Sequence, residues 1–164
     1  MNPKTLRTAL LAAFLLVVAT ALYAVRNNER VLAEGRIVLA QLAPVDPRSL
    51  MQGDYMALRY AIDNEILRSD GQGRYAHLAL DAEGRASLVG LDDRLPDDPA
   101  LVAMKLRSRN GRASIGPNGF FFQEGHAADF RDAQWGEFRV DAHGNALLTH
   151  LRGEDLVRLG ANRR

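Results

Sequence analysis

From Thr8 to Val25 the chain carries no charge (TALLAAFLLVVATALYAV), with Lys4 and Arg7 before the run and Arg26 closing it. At about 1.5 Å per residue a helix of that length spans about 27 Å, close to the roughly 30 Å hydrocarbon core of a bilayer. The run has no polar face, which a core helix of a small domain normally shows. Two readings compete. A cleaved signal peptide would use Ala19-Thr20-Ala21 as its small-residue site. An uncleaved anchor would use the whole run and set Tyr23 at the far interface. The apolar run continues past Ala21 instead of turning polar, which favours the anchor. The expected division is a transmembrane helix over 1–25 and one domain over 26–164. Lys4, Arg7 and the terminal amine favour a cytoplasmic N-terminus, against Arg26 and Arg30 on the other flank. The domain is therefore expected outside the cytoplasm.

Beyond the anchor the pattern shifts to a period of two. Arg36–Ala43 alternates in part and ends at Pro44, and a turn-rich stretch with Pro47 follows. Tyr55–Ile62 predicts a strand with Met56, Leu58, Tyr60 and Ile62 on one face. Tyr75–Leu80 with Arg85–Leu91 predicts a hairpin, and Leu101–Arg107 another strand. Asn110-Gly111 and Gly116-Pro117-Asn118-Gly119 signal turns. Phe120–Phe122 follows as a short buried strand, and Glu124–Ala133 as a brief helix. Glu137–Val140 with Asn145–Leu151 predicts the last hairpin. Short strands at close spacing imply a mainly β chain: one small antiparallel β-sandwich or barrel-like domain behind the transmembrane helix.

The two hairpins resemble each other. LALDAEGRASLVGL and FRVDAHGNALLTHL share Asp, Ala, Gly, Ala and Leu at matching places. Asp caps such a turn with its side chain, and Gly supplies the left-handed residue. By sequence the likeness stops at one hairpin, which favours a common turn recipe used twice over an ancestral duplication.

Composition changes this picture little. The 164 residues include 21 Lys+Arg, 20 Asp+Glu and no Cys. A net charge of +1 offers no concentrated basic face for nucleic acid. The lack of Cys excludes disulfides, thiol chemistry, Cys-ligated zinc and a lipoprotein anchor. His77, His126, His143 and His150 make no tight metal spacing. Asp92-Asp93 and Asp97-Asp98 lack the pattern of a calcium loop, and no phosphate-binding glycine motif occurs. No metal or cofactor is expected. A Ser-Lys peptidase would need a positioned base, and Lys105 is the only lysine after Lys4. Val45 and Pro44 stand where such enzymes carry the serine, and Ser49 lacks the surrounding context.

The most distinctive string is Gly53-Asp54-Tyr55-Met56-Ala57-Leu58-Arg59-Tyr60. Gly-Asp can turn sharply into a strand, with the Asp54 carboxylate accepting backbone N–H groups and so setting the strand's register. This string matches every specified position of the motif that names the bacterial GDYXXLXY proteins, and the chain resembles that family. Pro44–Arg48 with Leu50 resembles its lead-in. Gly119–Gly125 resembles its aromatic segment ending in Glu124-Gly125, with Gln123 where proline is usual. The final hairpin, with Asp141, Gly144 and Ala146, is also similar. The resemblance implies a bacterial membrane-anchored protein, here expected at the inner membrane, often accompanied by a polytopic membrane protein, and it supplies no catalytic residue. The residues singled out, as structural or interaction positions, are Gly53, Asp54, Tyr55, Leu58, Tyr60, Glu124 and Gly125. The expected function is a non-enzymatic periplasmic accessory domain that associates with a polytopic partner. A module for a small envelope ligand comes second and a Ser-Lys peptidase third.

Overall fold

The computed structural model describes residues 3–43, 51–52, 55–69, 72–109 and 111–160. Helix α1 (Pro3–Glu34) continues well past Val25. It ends at Gly35, whose N–H donates to the Val31 carbonyl at 2.9 Å. Val31 is buried, and a side chain on Gly35 would overlap the Val31 carbonyl and the backbone of Arg139–Val140. The helix thus passes into strand β1 (Arg36–Gln41) with no intervening linker. From Leu10 to Val25 the apolar residues of the run stay exposed, Tyr23 at 76%.

The rest of the described chain forms antiparallel sheets around one core. β1 pairs with β10 (Trp135–Val140), which pairs with β11 (Ala146–Arg152). A second three-stranded sheet has β4 (Tyr75–Leu80) at its centre, flanked by β5 (Ala86–Asp92) and β6 (Val102–Lys105). A small third sheet joins β2 (Met51–Gln52), β3 (Tyr55–Ala57) and β9 (Gly119–Phe121). β7 (Arg107–Arg109) and β8 (Arg112–Ser114) form a ribbon. Among the described residues the sheets do not close into a barrel. Val38, Leu78, Met104, Ile115, Phe138 and Leu151 are fully buried at the centre.

The two hairpins are alike well beyond their turns. Every residue of the second lies 60 positions after its counterpart, from Tyr75 and Trp135 to Asp92 and Arg152. Each carries one bulge at the same place, leaving Val89 and Thr149 unpaired. In each turn the leading Asp accepts two backbone N–H bonds: Asp81 Oδ1 from Glu83 and Arg85, Asp141 Oδ1 from His143 and Asn145. Gly84 and Gly144 take φ of +86° and +80°. The contacts between the sheets are reciprocal too. The Gly84 carbonyl accepts the Leu39 N–H of β1, beside β10, and the Gly144 carbonyl accepts the Lys105 N–H of β6, beside β4. Arg85 lies over the Trp135 ring at 5.5 Å, and Gly144 sits against the Tyr75 ring. The likeness therefore covers three strands and their mutual packing, more than a shared turn recipe requires.

Three expectations need correction. The strand predicted over Tyr55–Ile62 stops at Ala57, and from Ala61 the chain forms helix α2 (Ala61–Arg68). Met56, Leu58, Tyr60 and Ile62 are all buried as the alternation required. At Ile62 the period changes, because Ile66, one helical turn on, shares its face. Phe121 is not in a buried strand: it projects from β9 at 79% exposure. The helix predicted over Glu124–Ala133 is one 3-10 turn, Ala127–Phe130. Gly53, Asp54 and the Pro44–Leu50 lead-in lie outside the described residues.

Candidate functional site

The described part of the motif string sits at a junction between sheets, and its two tyrosines do different things. Tyr55 lies in β3 opposite Phe121, their rings 5.7 Å apart, on the outer side of the small sheet. Tyr60 is 1% exposed. Its hydroxyl donates to the Pro117 carbonyl at 2.9 Å, and its ring lies 5.5 Å from that of Phe138. A methyl on Gly116 would strike both rings, so glycine is required there by close approach. Leu58, also buried, donates its N–H to the Asn118 carbonyl at 2.9 Å. The motif thereby fastens the Gly116–Gly119 turn. On its other side, the Arg59 carbonyl accepts the Ala43 N–H and ties the motif to the end of the first sheet. Burial, and secondarily the Asp63 charge, push the Tyr60 phenol far above its ordinary range, so it acts only as a neutral donor.

Asp63, in the first turn of α2, takes the Ser114 hydroxyl at 2.7 Å and the Ile115 N–H at 3.0 Å. Burial raises its pKa, and these neutral donors pull it back only in part. The late motif residues belong to the chain's turning rather than to this junction. Gly125 takes φ of +83°, a conformation that suits glycine, and Glu124 is exposed beside it.

Sequence reasoning missed the most concentrated polar cluster. Glu137, in the middle of β10, is 0% exposed. Arg152 Nε and Nη2 lie 2.7 and 2.6 Å from its Oε2. Arg158 Nη2 lies 2.8 Å from Oε1 and Arg158 Nε 3.0 Å from Oε2. Burial alone would raise the Glu137 pKa, but the hydrogen bonds and charges of Arg158 and Arg152 outweigh it and hold the carboxyl below its usual range. His150 Nδ1 lies 3.6 Å from the same carboxylate. Burial, with Arg158 next, lowers the His150 pKa, so it is neutral at neutral pH. Arg152 Nη1 also donates to the Leu156 carbonyl, and Leu156 itself has φ of +61°. The cluster therefore clasps the C-terminal turn Gly153–Leu159 over the sheet. A carboxylate neutralised by two guanidinium groups and shut from water is a poor proton acceptor, so this arrangement is a fastening. The signal in the sequence was a Glu between Gly136 and Phe138 in a strand, but its partners lie 15 and 21 residues away.

The remaining chemistry is dispersed. Lys105 is exposed and donates to Asn145 Oδ1 at 2.7 Å; Ser49 lies outside the described residues. His126 pairs with Asp129, and His77 Nε2 contacts the Arg94 carbonyl. Among the described residues no group of three or more His, Asp or Glu side chains is placed to hold a metal.

A groove of about 700 Å³ opens where α1 meets the domain. Tyr23, Arg30 and Glu34 line it from the helix, Arg36 from the start of β1, and Asp98 and His143 from the facing loops.

The fold and the motif together define a class: a small antiparallel β domain carried on one helix long and apolar enough to cross a membrane. The family model described as GDYXXLXY protein matches residues 17–151, and the chain belongs to the GDYXXLXY family. No match was found among curated proteins or among solved structures.

Proposed function

We propose that this chain is a non-enzymatic accessory protein of the bacterial inner membrane. Its N-terminus is cytoplasmic, its β domain is periplasmic, and it associates with a polytopic membrane protein. The observation that carries this reading is the joint at Gly35. A helix exposed from Leu10 to Arg26, and buried only at Val31 where it meets the domain, runs straight into the first strand, so helix and domain present themselves to a neighbour as one body. A tether for a freely diffusing domain would gain from a flexible linker at this point. The exposed Phe121 beside Tyr55 supplies an aromatic contact of the kind enriched at interfaces.

The test is capture of the full chain from membranes in mild detergent, followed by mass spectrometry. A polytopic protein should be enriched over an unrelated single-span control, and Phe121→Arg should reduce that enrichment with unfolding unchanged. Equal recovery with the control would overturn the reading. A reporter fused after Arg164 should be active only outside the cytoplasm, and cytoplasmic activity would reverse the orientation. A module for a small envelope ligand is the second reading, favoured by the junction groove, whose volume falls in the range of ligand sites.

A further inference from the structure

We propose that the groove between α1 and the domain seats the headgroup of an aminophospholipid, its phosphate on Arg30 and Arg36 and its ammonium on Glu34 and Asp98. The proposal rests on the membrane anchor and names an occupant for the groove.

Position is the first argument. Val25 closes the uncharged run, so it marks the edge of the hydrocarbon core. The polar layer beyond that edge is about 5–7 Å thick on each side. At about 1.5 Å per residue, Tyr23 lies about 3 Å below the edge and Arg30 about 7.5 Å above it. Both line the groove, so its helical wall crosses the polar layer and rises past it to Glu34, about 13.5 Å above the edge. Helical side chains slant toward the N-terminus, here the membrane side, so Arg30 and Glu34 lean back toward the headgroups. The missing linker at Gly35 holds the facing loops close above that layer.

Charge is the second argument. Arg30 and Arg36 form no ion pair among the described residues, and the one hydrogen bond of the Arg36 guanidinium is a long one, 3.5 Å, to the Ala100 carbonyl. Guanidinium groups suit phosphate oxygens. Glu34 and Asp98 supply negative charge in the same groove. Asp98 spends Oδ1 on the Ala100 N–H, which leaves Oδ2 for a ligand. Asp141 also lines the groove, but its carboxylate is committed to His143 and Asn145. Two cations with two available anions match a headgroup that carries both signs better than a purely anionic one. A primary ammonium donates hydrogen bonds to carboxylates, and a quaternary choline nitrogen cannot, so ethanolamine lipids should be preferred.

The full chain is placed in nanodiscs of ethanolamine, choline and glycerol phospholipids in equal parts, and the lipids retained on it are counted by native mass spectrometry. Ethanolamine lipid should exceed choline lipid by about tenfold, the ratio one charge-assisted hydrogen bond supports. Arg30→Ala with Arg36→Ala should abolish retention of all three lipids. Glu34→Gln with Asp98→Asn should keep retention and erase the preference for ethanolamine. These side chains are exposed, and unchanged circular dichroism and unfolding temperature of each variant verify the fold. Equal retention of the three lipids by the unaltered chain, preference for the glycerol lipid, or a preference that survives both double substitutions would overturn the proposal. Failure of the chain to enter nanodiscs at all would instead overturn the anchor on which it rests.

Discussion

The two hairpins share strand lengths, bulge position, turn geometry and even the way each turn docks on the other's sheet, yet they carry different chemistry at the bulge. At the inner bulge position the first hairpin has His77 and the second has Glu137. Each side chain reaches toward the loop that follows its own hairpin. His77 contacts the Arg94 carbonyl in an exposed loop, whereas Glu137 binds two arginines beneath a turn that covers it. The residue opposite differs accordingly, Gly90 in one and His150 in the other, and two positions further along the strand stands Asp92 in one and Arg152 in the other. The lesson is that the backbone recipe sets position, and the residue at one position decides whether the following segment is clasped or left to solvent.

The largest expected difference lies at those two residues. Glu137→Ala strands two guanidinium groups and should cost about 3–5 kcal/mol, as breaking a buried pair does. His77→Ala removes one hydrogen bond at the surface and should cost about 1 kcal/mol or less. Urea unfolding of the full chain in detergent micelles measures both, and equal losses would erase the distinction. The same pair separates by pH. Because the folded pKa of Glu137 lies below its unfolded value, its contribution is complete above the ordinary carboxylate range and is lost as pH falls through the lowered folded pKa. The stability gap between the unaltered chain and Glu137→Gln should therefore be flat near neutrality and close only in acid. A gap that closed on approach to neutral pH would show that His150, and not the carboxylate, controls the clasp.

Next come the turn glycines. Both have positive φ, so alanine at either should cost about 1–2 kcal/mol from backbone strain. Gly144→Ala should cost more than Gly84→Ala, since its new methyl would lie 3.0 Å from the Tyr75 ring. Thermal unfolding of the two variants side by side checks the order. Asp141→Ala and Asp81→Ala should each cost about 1 kcal/mol. Asp141 is expected to be the more costly, because Oδ2 also holds the Asn145 side chain at 2.7 Å. Smallest is Glu83→His, which copies the second turn's tip into the first and should change stability by less than about 0.5 kcal/mol.

Much of this was legible because it is local. An uncharged run of spanning length, an Asp-x-x-Gly turn between alternating strands, and the family string all lie within short windows. Their outcome follows from rules about neighbours. The reading failed where two local rules overlap. Met56, Leu58 and Tyr60 obey a period of two, and Ile62 continues it by coincidence while it begins an i, i+4 pair with Ile66. Asp63 in the first turn and Arg68 in the last are helix signals that the alternation concealed. Hydrophobicity alone places Phe121 in the core, whereas its neighbours Phe120 and Phe122 fill that place by packing on Phe130. The Glu137 cluster and the reciprocal docking of the two turns depend on residues brought together from distant parts of the chain, which no short window contains.

The seam at Gly35 also sets an angular phase. A helix advances about 100° per residue, and the strand that follows it starts without slack. Deleting or inserting one residue between Val25 and Val31 would swing the domain by about a quarter turn about the helix axis relative to the membrane-facing side chains. The number of residues in that short stretch is therefore an inherited dial setting: it fixes which flank of the domain stands above which flank of the helix.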